Sequence, residues 1–114
     1  MENQTTNLNA TFHALANPTR RAVIQTLARG EVRVSDLAAD FDMGLPAFMK
    51  HLSVLEEAGL IASEKTGRVR TCALKPETLS ATEQWFEEQR RFWQGRYSQL
   101  DALLSALRGK DDES

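Results

Sequence analysis

The chain of 114 residues is 26% charged, 41% hydrophobic and 7% aromatic, and its 16 acids and 14 bases leave a formal net charge of -2. This is the profile of one ordinary soluble domain. It is too short for a typical two-domain enzyme and buries a marginal core alone, so an oligomer is expected to add interface. The single cysteine, Cys72, excludes an intrachain disulfide framework and a cysteine-rich zinc site. No apolar run approaches the roughly 18 residues of a membrane span, so no membrane association is expected. The opening MENQTTNLNA has neither the basic nor the apolar segment of a secretory signal, and the expected compartment is the cytoplasm.

Residues 1–9 are polar and aperiodic, which predicts a flexible N-terminal arm leading into a short helix at about Leu8 to Leu15. Asn17-Pro18 joins a favoured N-cap to the residue best tolerated at the first helical position, predicting a second helix to Arg29 closed by Gly30. After a short extended piece, Glu31 to Arg33, the residues Val34, Leu37, Ala38 and Phe41 fall at i, i+3, i+4 and i+7 and predict a third, amphipathic helix. A tight turn at Asp42 to Gly44 leads to Pro46. The helix it opens carries Phe48, Leu52 and Leu55 on one stripe and stops at Gly59. Two such helices packed across a short turn form a helix-turn-helix.

Leu60 to Lys65 and Arg68 to Leu74 are strand-prone segments around Thr66-Gly67 and predict a β-hairpin. Pro76 then opens the longest periodic segment, a single helix within 76–108 of about 30 residues or roughly 45 Å, before an acidic tail at 109–114. The expected architecture is mainly α with a small β-hairpin: a winged helix-turn-helix domain over 10–108 with a long C-terminal dimerisation helix.

Two histidines, one cysteine and no glycine-rich phosphate loop do not assemble a catalytic set, and His13 and His51 lack ligand spacing to another His or Cys. No enzyme, metal or cofactor is therefore expected. An isoelectric point near 5.7 is the wrong sign for a generally basic nucleic-acid binder, but the charge is unevenly spread. Residues 18–75 hold nine bases against seven acids, whereas residues 76–114 hold five bases against eight acids. Lys50 and His51 lie on the helix after the turn, and Lys65, Arg68 and Arg70 bracket the hairpin tip, where cations can neutralise phosphates. The bland alternative for these side chains is a solvated basic surface.

The stretches Ala14-Leu15-Ala16-Asn17-Pro18-Thr19-Arg20-Arg21, Val34-Ser35-Asp36-Leu37-Ala38 and, above all, Lys50-His51-Leu52-Ser53-Val54-Leu55-Glu56-Glu57-Ala58-Gly59-Leu60-Ile61 together resemble the ArsR/SmtB family of bacterial repressors. The resemblance covers roughly residues 10–105. It implies a dimeric winged helix whose second motif helix enters the major groove of promoter DNA while the wing contacts flanking DNA. Binding then blocks transcription until a signal releases it. Asp42 and Gly44 depart from the residues common at the turn, but Asp tolerates left-handed geometry and Gly can N-cap a helix. Members that sense thiophilic metals often carry a Cys-x-Cys pair. The matching segment here reads Val32-Arg33-Val34, and the last helix has no histidine for the family's other metal site.

The site implied is a recognition helix presenting Leu45, Pro46, Ala47, Met49 and Lys50 to the groove, with His51 and Ser53 on the phosphate backbone. Lys65, Arg68 and Arg70 belong to the wing, and Arg20 and Arg21 are candidate phosphate anchors. Leu79, Phe86, Trp93, Leu100 and Leu107 recur every seven residues, and Tyr97 and Leu104 form a second row. Helped by Phe12 and Leu15, they make the expected dimer seam. The expected partners are double-stranded operator DNA and a second copy, with room for an unidentified small-molecule or protein inducer. The competing readings are a winged-helix protein-interaction module and a redox-responsive repressor using Cys72.

Overall fold

The computed structural model describes the backbone of residues 4–112 and the side chains of residues 8–109. In chain order the elements are α1 (Gln4–Leu15), α2 (Pro18–Leu27), β1 (Val32–Arg33), α3 (Val34–Ala39), α4 (Leu45–Glu57), β2 (Ile61–Thr66), β3 (Val69–Leu74) and α5 (Pro76–Asp112). They form two compact units, the first ending at Thr82 and the second beginning at Glu83.

In the first unit, α2, α3 and α4 pack on a small antiparallel sheet of order β1-β3-β2, and α1 packs on α2 and α4. The stripe read on α4 is the centre of its core, since Phe48, Leu52 and Leu55 are buried together with Val23 and Leu27 of α2 and Val34 and Leu37 of α3. Phe41, just past α3, stacks on Phe48 with ring centroids 5.1 Å apart and so closes the helix-turn-helix from within.

The cap residues act as their chemistry dictates. Asn17 accepts the Arg20 amide at 3.1 Å on its Oδ1, in extended backbone geometry. Gly59 takes a φ of 75°, and the amides of Gly59 and Leu60 turn back to the carbonyls of Glu56 and Leu55, each at 3.0 Å. That is a Schellman closure, with Leu60 and Leu55 as its buried apolar pair. A Cβ at Gly59 would also lie 3.1 Å from Thr78 Oγ1, whose hydroxyl donates to the Gly59 carbonyl at 2.7 Å.

Several boundaries differ from the sequence reading. α1 begins at Gln4, inside the stretch expected as an arm, and Met1 to Asn3 lie outside the described residues. α2 stops at Leu27, and Ala28 is its exposed cap. The helical backbone of α5 runs past Arg108 to Asp112, into the expected tail; Glu113 and Ser114 lie outside the described residues. Val32-Arg33 is a third strand, with Val32 opposite Cys72 and Arg33 opposite Thr71. No non-glycine residue has a positive φ among the described residues, so the turn at Asp42 to Gly44 needs no left-handed aspartate. Gly44 caps α4 in extended geometry.

The second unit is the α5 segment from Glu83. Phe86, Phe92, Trp93, Tyr97, Leu100, Leu103, Leu104 and Leu107 are all exposed on it, Trp93 by 52% and Tyr97 by 62%. Leu79 belongs instead to the first unit and is half-buried against that unit's core, as is Leu15 of α1, while Phe12 is exposed. Of the residues read as the dimer seam, Leu15 and Leu79 thus pack within the first unit.

Candidate nucleic-acid interface

The recognition-helix candidate is α4. Its buried stripe leaves Pro46, Lys50, Ser53 and Glu57, spaced four, three and four apart, as an exposed row on the opposite side. Leu45 and Ala47 flank that row at the helix start, Leu45 with 58% of its surface exposed. Gly44 supplies no side-chain cap, and Pro46 removes one of the first-turn amides that would need one. Met49 does not share this exposure. It follows Phe48 and precedes Leu52 by one turn, and it is half-buried against the core.

The wing is β2 and β3, paired from Ile61 opposite Leu74 to Thr66 opposite Val69. Its turn is Gly67-Arg68, one residue later than read from sequence. Gly67 takes φ 63° in the first central position, the geometry of a type II′ hairpin turn. Arg68 therefore sits at the tip, exposed, rather than in a strand. Lys65 lies directly opposite Arg70, a like-charged pair that a sheet disfavours unless something anionic approaches.

Arg70 turns away from Lys65. Its Nε and Nη2 donate to Ser63 Oγ at 3.2 and 3.0 Å, and Nη2 lies 3.6 Å from Glu56 Oε1. The Ser63 hydroxyl donates to that same carboxylate at 2.5 Å. Glu56 is on the last turn of α4, so this cluster ties the wing to α4. Sequence reasoning missed Glu56 and Ser63. The Ser63–Arg70 diagonal follows from the hairpin register, whereas nothing in the periodicity marks the reach of Glu56.

Arg20 and Arg21, read as phosphate anchors, are engaged with the end of α1, Arg20 half-buried and Arg21 exposed. Arg20 donates through Nε to the Ala14 carbonyl at 2.7 Å and through Nη2 to the His13 carbonyl at 3.1 Å, and its Nη1 lies 3.1 Å from His51 Nδ1. Arg21 Nη1 donates to the Leu15 carbonyl at 2.7 Å. These are carbonyls at the C-terminal end of α1, a position that cations satisfy well. Lys50, Lys65 and Arg68, by contrast, are exposed and make no ion pair among the described residues.

Cys72 is fully buried on β3 opposite Ser63. Burial pushes its thiol above the ordinary value; the Glu56 carboxylate adds to the rise and Arg70 opposes it. Both the low exposure and the direction disfavour a reactive thiolate. Among the described residues no three His, Cys, Asp or Glu side chains group so as to hold a metal ion. Val32 and Val34, where a thiolate pair would stand, are built into the sheet and the core. No described helix is long and apolar enough to cross a membrane.

A helix pair with a buried stripe, an outward polar row and an adjoining cationic wing defines a winged helix-turn-helix DNA-binding protein. A family described as a helix-turn-helix domain matches residues 15–64. The chain is 38% identical over 82 residues to the HTH-type transcriptional regulator Rv2034 of Mycobacterium tuberculosis, spanning 72% of this chain and 74% of that protein. It is 28% identical to the transcriptional repressor SdpR of Bacillus subtilis over 68% of this chain and 87% of the relative. Among solved structures, an ArsR family transcriptional regulator aligns at 51% identity with a TM-score of 0.76, covering 82% of this chain and 97% of that one. The chain belongs to the ArsR family of winged helix-turn-helix transcriptional regulators.

Proposed function

We propose that this regulator is a cytoplasmic repressor that binds a palindromic operator as a homodimer, without a metal cofactor. The observation that carries the reading is the exposed row of α4. Lys50 stands on the side opposite the buried stripe, near the helix start, with no ion-pair partner among the described residues. In this reading Leu45, Pro46, Ala47 and Lys50 meet the major groove, with Lys50 donating to a base edge or phosphate, and Ser53 meets the backbone one turn on. Lys65 and Arg68 neutralise flanking phosphates. Arg70 adds its charge to the wing while Glu56 and Ser63 hold the wing's angle to α4. The relative in Bacillus subtilis is named a repressor, which supports blocking transcription rather than activating it.

The dimer surface proposed is the second unit's helix. Eight large apolar side chains from Phe86 to Leu107 are exposed along it, a seam that would be an aggregation hazard on a monomer and is buried by a second copy. A groove lined by Trp93, Arg96, Tyr97 and Leu100 lies on this one helix and is open to solvent. It suits packing against another helix better than enclosing a small inducer. Selection of bound duplexes from a random-sequence library tests the function. The expected result is an enriched palindrome whose half-sites lie about one DNA turn apart, and recovery of no preferred sequence would defeat it.

A further inference from the structure

The end of α1, the start of α2 and the middle of α4 converge on a single guanidinium. Arg20 spends Nε on the Ala14 carbonyl, Nη2 on the His13 carbonyl and Nη1 on His51 Nδ1, at 2.7, 3.1 and 3.1 Å. An arginine has donors only and keeps its charge at any pH a protein survives, so at this contact the imidazole must accept. In this bond His51 Nδ1 is the acceptor. His51 adjoins Lys50, so the bond fixes α4 to the body of the first unit one residue from its outward cation.

We propose that Arg20 and His51 are positioning residues for operator recognition: the Arg20 fork locks α4 to the end of α1 only while His51 Nδ1 is bare, so acid loosens the helix and weakens operator binding. This rests on the DNA-binding function of α4 argued above. A second proton on the imidazole would sit on Nδ1, directed at a guanidinium that cannot accept it. The hydrogen bond is then lost and two cations face each other. The other charged or titratable side chains on elements packed against α4 are His13 on α1, Arg21 on α2, the exposed Asp36 on α3, Glu64 and Lys65 on β2, and Arg70 and Cys72 on β3, of which Arg70 faces Glu56. Arg21 is bonded to the Leu15 carbonyl, His13 is exposed, and Glu64 and Lys65 lie on the outer half of the wing. None supplies a carboxylate to the Arg20–His51 pair.

The sign of the pH dependence separates this role from a phosphate contact. A histidine on the DNA backbone gains charge in acid and tightens binding, whereas the positioning role predicts the reverse. The test is fluorescence anisotropy with a duplex selected from a random-sequence library, titrated between about pH 8 and about pH 5.5, the range in which imidazoles commonly change charge. It compares the parent, His51→Asn, His51→Gln and the control His13→Gln, each checked for a cooperative melt. The parent and the control are expected to weaken on the order of tenfold toward acid. His51→Asn, whose Oδ1 stands near the position of Nδ1 and takes up no proton, keeps the high-pH affinity and loses the slope; if it fails to fold, His51→Gln takes its place, and if both fail the parent profile decides by its sign. Parent binding that is flat or tightens in acid, a slope that persists in a folded His51 variant, or a folded His51→Asn that is weak at every pH would overturn the proposal. Recovery of no duplex at all would instead defeat the DNA-binding function on which it rests.

Discussion

Trp93→Ala tests the proposed dimer surface most sharply because its effect can be bounded from the protomer. Trp93 is 52% exposed, its ring edge-on to Phe92 at 5.8 Å between centroids. A tryptophan carries about 250 Å² at most, so roughly 130 Å² remains for a partner to cover. At about 25 cal/mol per Å² that is ~3 kcal/mol for each protomer. A two-fold interface counts the residue twice, so the loss approaches ~6 kcal/mol if both copies are fully covered. Area converts incompletely into affinity, and half of that figure is a fair floor. A loss of ~3 kcal/mol already raises the dimer dissociation constant by about 150-fold. Sedimentation equilibrium over a concentration series measures it directly, with a gel-shift titration alongside. Dimerisation and operator affinity should fall together, because a lone protomer holds one half-site. A parent that stays monomeric at micromolar concentration, or a Trp93→Ala protein with the parent's dimer constant, would refute the arrangement.

Lys50→Ala should weaken operator binding by about 1 to 3 kcal/mol in a gel shift while leaving stability within about 0.5 kcal/mol, since the side chain is exposed and unpaired among the described residues. Arg68→Ala should reduce binding to all sequences and lower the salt slope by about one. Arg70→Ala should do the same and also cost up to about 1 kcal/mol in urea unfolding, because it releases the contacts to Ser63 and Glu56. The raised Cys72 thiol has a definite sign in stability. The folded chain keeps its proton where the unfolded chain loses it, so the contribution is whole below the ordinary thiol value of 9.0 and is lost as pH climbs toward the folded value. Cys72→Ala should accordingly flatten the decline in stability in alkali, as read from unfolding curves. Calorimetry with zinc, cadmium or arsenite should show no stoichiometric site coupled to DNA release, because the chain offers valines at positions 32 and 34 where a thiolate pair would be needed.

Most of the architecture was legible because the chain marks it with residues of narrow meaning. Asn17-Pro18, Pro46 and Pro76 sit at helix starts and Gly59 at a helix end, and each does so for a backbone reason. The Phe48, Leu52, Leu55 stripe is legible as the core side of α4, but a buried helix face is wider than one row, and this draws Met49 inward. β1 has two residues, too few to show a period, and exists only through its pairing with β3. The hairpin turn shifts by one because Gly67 fills the first central position rather than the second. Charge counts located the cations but not their partners. Arg20, Arg21, Arg68 and Arg70 look alike in sequence, yet α1 carbonyls hold the first two, Glu56 and Ser63 hold the last, and Arg68 at the turn tip has no ion pair among the described residues.

The most direct test of the account is hydroxyl-radical footprinting of the protein on its selected operator, combined with the stoichiometry of the complex by sedimentation. Two protomers per duplex are predicted, protecting two major-groove windows about 34 Å apart, with Lys50→Ala losing protection at both. One protomer on the duplex, or uniform protection that does not depend on sequence, would contradict it.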